Sequence, residues 1–168
     1  GVEKIAISSA AIKKPTLIKE IAKIIGSQSV ISVLDVKKSI FHGYEIYINN
    51  GKEKIKGSLP YWIESFQEYG SGEILINSID KDGMQNGYDL GLVKIVKKHI
   101  SMPVTFLGGA SSLSDIGDLI ENYGVAGCSA GSLFVFKGKY RAVLINYPTF
   151  EEKYELLIDR LKKYKNAQ

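Results

Sequence analysis

Short apolar runs alternate along the 168-residue chain with longer stretches in which apolar residues recur every three or four positions. The short runs have the length of buried strands, and the longer stretches have the period of amphipathic helices. The runs predict strands at residues 4–8, 30–34, 103–107 and 125–130, and a central strand that begins at Glu73. The longer stretches predict helices after Pro15 and at residues 59–69, 90–98, 112–123 and 150–163.

This alternation predicts an α/β fold with a parallel sheet. The strands are apolar throughout, so we expect both faces of the sheet to be covered. Five such units could form a complete flavodoxin-like domain, but no glycine-rich dinucleotide fingerprint follows the first strand. Polar residues end every strand instead of gathering at one crossover, which favours the rim of a (βα)8 barrel. Such a barrel needs about 250 residues, so the chain would hold a little over half of one.

A different element interrupts the alternation after the second strand. Residues 44–48 and 52–56 alternate around the turn Asn49-Asn50-Gly51, and an Asn-Gly turn between alternating runs is the strongest local signal for a β-hairpin. We therefore expect a hairpin inserted near residues 44–56 of a single domain that spans residues 1–168. The chain begins with Gly1 rather than methionine, which suggests a piece of a longer protein.

Charge and composition narrow the class of function. The net charge of +4 comes largely from scattered lysines that form no aromatic-interleaved basic stripe, so nucleic acid is set aside as a partner. The apolar runs are too short to span a membrane. The single cysteine, Cys128, excludes an internal disulfide and fits a buried, inert side chain better than a catalytic thiol. These features predict a cytoplasmic protein.

Polar and small residues follow the predicted strands, and parallel strands bring their carboxyl ends to one rim. Gly109 and the pair Gly131-Ser132, which opens a short helix, can offer backbone N–H groups to one anion. Barrel enzymes repeatedly hold phosphate in the loops after their last two strands, so we interpret these glycines as a phosphate site. The alternative is that they only permit tight turns. The rim comprises Ser8, Ser9, Asp35, Ser78, Asp80, Asp82, Gly83, Gly108, Gly109, Ala130, Gly131 and Ser132.

Two carboxylates, Asp35 and Asp82, face the expected anion. Positioned carboxyl groups with tuned pKa values can act as a general acid and a general base. The alternative for Asp35 is a cap or an ion-pair partner of Lys37 or Lys38. For Asp82 the alternative is an ordinary βα loop, in which Asp and Gly are common turn residues.

Several segments occur together in the order and spacing of the HisF family, the cyclase subunit of imidazole glycerol phosphate synthase. The chain resembles that family from about the fourth strand of its barrel to the end. The set is specific, although any single segment would be weak. The segments are Asp35-Val36-Lys37, Ser78-Ile79-Asp80-Lys81-Asp82-Gly83 with Gly87-Tyr88-Asp89, Gly108-Gly109-Ala110, and Ala130-Gly131-Ser132-Leu133-Phe134.

The resemblance implies a (βα)8 TIM barrel, of which this chain holds about strands 4 to 8, and an enzyme of the lyase or cyclase type. Such a barrel accepts ammonia from a HisH-type glutaminase subunit. It converts a ribulosyl-aminoimidazole-carboxamide nucleotide with two phosphates to imidazole glycerol phosphate and an aminoimidazole carboxamide ribotide, in histidine biosynthesis. No cofactor and no metal ion are expected.

The resemblance also implies roles for individual residues. Asp35 matches the general acid of the family. Lys4 and Glu73, at strand starts on the opposite face, match two members of the charged gate through which ammonia enters. The phosphate-binding positions match Asp82, Gly83, Gly108, Gly109, Ala130, Gly131 and Ser132 for one phosphate, and Ser8 and Ser9 for the other.

Some positions depart from the family pattern. The second catalytic aspartate and the rest of the gate belong to the first three strands, so this chain alone should not catalyse cyclisation. Ser8 replaces an asparagine, Asn77 and Met84 replace threonines, and Leu107 replaces a serine. These changes and the tail at 137–148 look more like the HisF paralogues that are thought to deliver ammonia for surface-sugar amidotransferases. A third hypothesis is a non-catalytic, phosphate-binding half-barrel.

Overall fold

The fold comes from a computed structural model that describes residues 1–124, 126–138 and 140–166. Its strands are β1 (Ile5–Ile7), β2 (Val30–Ser39), β3 (Gly43–Ile48), β4 (Glu53–Lys54), β5 (Glu73–Ser78), β6 (Val104–Leu107), β7 (Gly127–Ser129), β8 (Phe136–Lys137) and β9 (Ala142–Val143). Its helices are α1 (Ser9–Lys13), α2 (Thr16–Ile25), α3 (Leu59–Glu68), α4 (Leu90–His99), α5 (Leu113–Tyr123), α6 (Ser132–Val135) and α7 (Phe150–Asn166). Val125, the first residue of the last predicted strand, and Lys139 of the tail lie outside the described residues.

Five parallel strands lie side by side in chain order: β1, β2, β5, β6 and β7. A doubly wound sheet reverses its order at a crossover, whereas this order is that of consecutive barrel units. Among the described residues β1 and β7 do not pair with each other, so the barrel is partial and not closed. The prediction of a barrel segment is confirmed, and the flavodoxin-like alternative is excluded.

Burial alternates along the central strands. In β2, Val30 and Leu34 are buried, whereas Ile31 and Val33 are half-buried, and β5 shows the same alternation. The helices pack on the buried face, where their apolar residues join those of the strands in one core. The expectation that both faces are covered is wrong for this chain, because the other face, here called the inner face, is enclosed only when a barrel closes.

Strand β2 is longer than predicted. It continues to Ser39, past its predicted end at Leu34. Its second half pairs antiparallel with β3, so that Asp35 lies opposite Tyr47, and β3 pairs in turn with β4. The prediction failed because Lys37 and the polar residue after it suggest a loop, although exposed polar side chains are common on an antiparallel edge.

Polar side chains cap the helices that follow the rim. Asp89 accepts a hydrogen bond from the N–H of Leu92 over 3.0 Å at the start of α4. Ser112 and Asp115 form a capping box at the start of α5. From the sequence, either Ser112 or Ser114 could cap this helix, and the structure shows that Ser112 does.

Helix α7 packs on α5 through part of the face that its helical period predicts. That period predicts that Tyr154, Leu157, Ile158 and Leu161 point inward. Ile158 and Leu161 are half-buried, whereas Tyr154 and Leu157 are 54% and 40% exposed. A Cβ on Gly117 of α5 would lie 2.7 Å from Nε of Arg160 and 2.9 Å from Cδ1 of Leu156. The missing side chain at Gly117 therefore makes room for Leu156 and Arg160, which helical periodicity did not predict.

Candidate functional site

The inner face carries polar residues at both ends of the sheet and apolar residues between them. At the carboxyl end, the strand register places Asp35 of β2 beside Asn77 of β5. Val33 lies beside Leu75 one level below, and Glu73 begins β5 at the amino end. Two polar clusters are therefore separated by an apolar level.

Both carboxylate oxygens of Asp35 accept hydrogen bonds. Asn77 Nδ2 donates to Oδ1 over 2.8 Å, and the Ser8 hydroxyl donates to Oδ2 over 3.1 Å. The other amide atom, Asn77 Oδ1, is buried and has no hydrogen-bond partner among the described residues. The neighbours of Asp35 therefore fix the plane of its carboxylate.

The alternative contacts expected for Asp35 are directed elsewhere. Asp35 lies inside β2 and does not cap a helix. Lys37 Nζ lies 5.9 Å from the ring centroid of Tyr47. The backbone N–H of Lys38 donates to Asp80 Oδ2 over 2.6 Å, which ties the end of β2 to the loop after β5. Asp80 thus connects two segments of the rim, whereas the Asp35 side chain lies on the inner face.

A small pocket gathers the residues predicted for one phosphate site. It lies where the loops after β5, β6 and β7 meet. Gln85 and Ala110, which were not predicted for this site, also line it, as does Leu107, which stands where the family has a serine. The predicted residues that line it are Asp82, Gly83, Gly108, Gly109, Ala130, Gly131 and Ser132.

The glycines after β6 are required by close backbone packing. A Cβ on Gly109 would lie 2.2 Å from the carbonyl oxygen of Gly87, and one on Gly108 would lie 2.7 Å from that of Ser78. The N–H of Gly87 also donates to the carbonyl of Gly109 over 2.8 Å. At these two positions, the interpretation that glycine permits a tight approach is sufficient.

Gly131 differs, because packing does not require glycine there. Its φ of −102° suits any residue, and no described atom outside its chain neighbours lies within 4 Å of where its Cβ would be. Gly131 is the N-cap of the short helix α6, which has no side-chain cap, and both Gly131 and Ser132 line the pocket. The missing side chain leaves open space beside backbone donors.

Tyr88 holds the walls of this pocket together. Its hydroxyl donates to the carbonyl of Ser129 at the end of β7 over 2.9 Å, and the residue is 7% exposed. Burial raises the pKa of the Tyr88 hydroxyl well above its ordinary value, so it remains a donor. This role was not predicted from the sequence. A tyrosine within a polar loop was the available signal, but its partner is distant in the chain.

Ser8 and Ser9 follow β1, at the opposite edge of the parallel sheet from this pocket. Ser8 donates to Asp35 as described, and the Ser9 hydroxyl accepts from the N–H of Asn49 in the turn between β3 and β4 over 3.0 Å. Ser9 begins the short helix α1, which the sequence did not predict. The structure therefore keeps the two expected phosphate sites apart.

Lys4 and Glu73 meet at the amino end of the inner face. Lys4 Nζ lies 2.7 Å from Glu73 Oε2, and the Thr105 hydroxyl donates to Glu73 Oε1 over 2.5 Å. Burial opposes ionisation of Glu73, but the hydrogen bonds from Lys4 and Thr105 outweigh it and hold its pKa below the ordinary value. Thr105 was not predicted to belong to this cluster, and the signal for it was a hydroxyl within an apolar strand.

A glycine makes room for this cluster. The register places Gly127 of β7 beside Thr105, and a Cβ on Gly127 would lie 1.9 Å from the Thr105 hydroxyl oxygen. A side chain at residue 127 would therefore collide with Thr105, which donates to Glu73.

In the part of the chain that the structure describes, no helix is long and apolar enough to cross a bilayer.

Comparison with known proteins identifies the family. A family model described as histidine biosynthesis protein matches residues 1–141. The putative imidazole glycerol phosphate synthase subunit HisF of Leptospira interrogans is 49% identical over 154 residues, which are 91% of this chain and 61% of that protein. The putative subunit hisF2 of Pseudomonas aeruginosa is 45% identical over 148 residues, 88% of this chain and 59% of that protein.

A relative without the word putative in its name is less similar. The imidazole glycerol phosphate synthase subunit HisF of Alkaliphilus metalliredigens is 37% identical over 134 residues, 80% of this chain and 53% of that protein. The chain thus spans about three fifths of the length of the Leptospira and Pseudomonas proteins. The parallel strands, the glycine pocket and these similarities lead to one conclusion: the chain belongs to the histidine biosynthesis protein family, with HisF subunits of imidazole glycerol phosphate synthase among its relatives.

Proposed function

We propose that this chain supplies strands 4 to 8 of a HisF-type barrel that catalyses ammonia-dependent cyclisation. The substrate would be the ribulosyl-aminoimidazole-carboxamide nucleotide, and the products imidazole glycerol phosphate and aminoimidazole carboxamide ribotide. The relatives carry the name of this synthase. We expect residues 1–168 to form part of one domain and the protein to be cytoplasmic, since its one cysteine cannot form an internal disulfide.

The open space at Gly131 is the observation that carries this proposal. Unlike Gly108 and Gly109, Gly131 has no packing reason to lack a side chain. In this proposal a phosphate lies beside the Gly131 Cα, where a Cβ would touch nothing, and accepts hydrogen bonds from backbone N–H groups of the rim. Phosphate held there fixes one end of the substrate against the rim.

Asp35 is the proposed general acid. Ser8 and Asn77 hold its carboxyl group in one plane on the inner face, and a proton on either oxygen could be delivered to a substrate atom above the sheet. General acids of this type accelerate reactions by about 10²- to 10⁴-fold. The second catalytic aspartate of the family lies in its first three strands, so we expect this chain alone to be inactive.

Lys4 and Glu73 are the proposed gate through which ammonia arrives from a HisH-type glutaminase. They form an ion pair at the opposite end of the inner face from Asp35. The apolar level between the two ends, which includes Val33 and Leu75, would let neutral ammonia pass while disfavouring a bare ion. The names of the relatives as synthase subunits support a partner subunit in those proteins.

A second candidate function is ammonia delivery to a surface-sugar amidotransferase by a paralogue with an altered pocket. The departures from the family pattern support it, namely Ser8, Asn77, Met84 and Leu107, together with the tail at 137–148 that contains the small hairpin β8–β9. A non-catalytic phosphate-binding half-barrel is the third candidate.

A turnover assay separates the candidates. The full-length protein that contains this chain is supplied with the nucleotide substrate and ammonium, and imidazole glycerol phosphate is measured. Asp35→Asn should abolish the product if the cyclase proposal holds, while Glu68→Gln, which changes an exposed carboxylate at the end of α3, is the control. Product formed equally by Asp35→Asn removes Asp35 from the mechanism. No product from the wild-type protein, although the substrate binds, removes the cyclase proposal and leaves the paralogue and the half-barrel.

A further inference from the structure

Two large apolar side chains are exposed at the tip of the β2–β3 hairpin. Ile40 and Phe41 lie in the turn between the two strands and are 93% and 87% exposed. Turns usually carry Gly, Pro, Asn, Asp or Ser, and neither residue belongs to the core. Exposed apolar and aromatic side chains that lie together are typical of surfaces that meet another protein. Ile40 and Phe41 are here called the hairpin tip.

Hydrogen bonds on both strands of the hairpin hold the hairpin tip in place. The N–H of Lys38 donates to Asp80 Oδ2 over 2.6 Å on the β2 side, and the Tyr44 hydroxyl donates to Asp89 Oδ1 over 2.9 Å on the β3 side. Gly91 leaves room for the second contact, because a Cβ there would lie 3.0 Å from the Tyr44 hydroxyl oxygen. A tip that is fixed in this way loses little conformational freedom when it binds.

A second exposed apolar surface lies on α7. Phe150 and Tyr154 stack with their ring centroids 5.9 Å apart, and Phe150 is 70% exposed. One turn further along, Leu157 is exposed and lines a largely apolar cavity of about 230 Å³ between α5 and α7. The exposed carboxylates Glu151 and Glu155 lie beside these residues on the same helix. These five residues are here called the α7 face.

Charge indicates which surface can pair with the hairpin tip. Lys38 precedes the tip by two residues, and Lys56 lines a cavity together with His42 of the same turn. Neither lysine forms an ion pair with a described residue, and the same holds for Glu151 and Glu155 of the α7 face. Two hairpin tips would therefore repel each other, whereas the α7 face presents the opposite charge beside an apolar surface.

We propose that the hairpin tip of one molecule docks on the α7 face of a second copy of this protein. Both surfaces are exposed within one molecule, so they do not cover each other there. The expected assembly is a two-fold dimer in which the contact occurs twice, since each molecule gives its tip and receives that of its partner. Neither surface includes a residue assigned to the proposed cyclisation, so the contact is independent of that reaction.

Charge reversal tests this contact in the full-length protein that contains this chain. The hairpin variant carries Lys38→Glu with Lys56→Glu, and the α7 variant carries Glu151→Lys with Glu155→Lys. Light scattering across a concentration series measures the molar mass of each protein. The wild-type protein should form a dimer, and either variant alone should dimerise at least about tenfold more weakly. Lys19→Glu, at an exposed position of α2 outside both surfaces, is the matched control.

A mixture of the two variants distinguishes a contact between molecules from a loss of folding. In the mixture each variant meets a partner of opposite charge at both contacts, so a mixed dimer should form with about the wild-type affinity. Phe41→Ser, which changes no charge, should also weaken the dimer, so the test remains decisive if a reversed variant folds poorly.

Three results would overturn the proposal. One is a monomeric wild-type protein, which is expected if segments outside this chain cover the α7 face. Another is a dimer that withstands both charge reversals, because such a dimer forms through a different surface. The third is a mixture of the two folded variants that stays monomeric.

Discussion

Asn77 holds Asp35 with one of its two amide atoms and leaves the other without a partner. Nδ2 donates to the Asp35 carboxylate over 2.8 Å, and Oδ1 is buried without a described hydrogen-bond partner. A buried acceptor of this kind costs about 1–3 kcal/mol. Asparagine is therefore a poor choice for stability at this position, and its contact with Asp35 offers a functional reason for its presence.

Replacing Asn77 should separate stability from activity. In Asn77→Leu, loss of the hydrogen bond to Asp35 is offset by loss of the unpaired oxygen, so the unfolding free energy should change by less than about 1.5 kcal/mol. Turnover should fall about tenfold or more, because the Asp35 carboxyl is no longer oriented. Denaturant unfolding and the ammonium-dependent assay measure the two quantities. Unchanged turnover would show that Asn77 does not position Asp35.

Asn77→Asp should make stability at this site depend on pH. A second carboxylate at hydrogen-bond distance raises the pKa of one member of the pair. When the folded-state pKa lies above the unfolded value, the unfolding free energy of the variant falls as pH rises through that pKa. The loss of stability disappears in acid, where the group is protonated in both states. Unfolding curves from pH 4 to 8 should show a stability deficit that grows with pH. A constant deficit would mean that the two side chains move apart.

Glu73 should give the opposite pH dependence. Its pKa is held below the ordinary value of 4.5 by Lys4 and Thr105 in spite of burial. Its carboxylate therefore stabilises the fold above that value, and the contribution is lost as pH falls through the lower folded-state pKa. Glu73→Gln should be less stable than the wild-type protein at pH 7, with a difference that shrinks in acid. Lys4→Met should reproduce part of this behaviour, and parallel pH curves would contradict the ion pair.

Two glycines of the pocket should respond differently to alanine. In Gly109→Ala, the added Cβ would lie 2.2 Å from the Gly87 carbonyl oxygen, and the backbone at this position has a φ of +103°. We therefore expect a loss of at least about 2 kcal/mol in unfolding free energy. Gly131→Ala should fold with wild-type stability because nothing lies near its Cβ, yet it should bind phosphate less tightly. Thermal melts and phosphate titration provide the comparison. Wild-type binding by Gly131→Ala would place the anion elsewhere.

The sequence predicted which strands and loops form the rim, but not why particular residues are required there. Strand order and the meeting of Asp82, Gly109 and Gly131 follow from parallel βα units, which bring all carboxyl ends together. The residue types alone could not distinguish Gly109, which close packing requires, from Gly131, which faces open space. That distinction depends on how near Gly87 comes in three dimensions.

Contacts between distant segments account for most of what could not be predicted from the sequence. Thr105 donates a hydrogen bond to Glu73, and Tyr88 donates one to the carbonyl of Ser129. No local sequence pattern links either pair. The extension of β2 beyond Leu34 depends on pairing with β3. Local periodicity therefore predicted where elements begin more reliably than which side chains they bring together.

Crystallographic analysis of the full-length protein in the presence of phosphate tests the central claim most directly. We expect an anion between Gly109 and Gly131, bound by N–H groups at the start of α6, and a weaker or missing anion in Gly131→Ala crystals grown under the same conditions. An empty pocket in well-ordered wild-type crystals that bind phosphate elsewhere would contradict the assignment of this rim to a phosphorylated substrate.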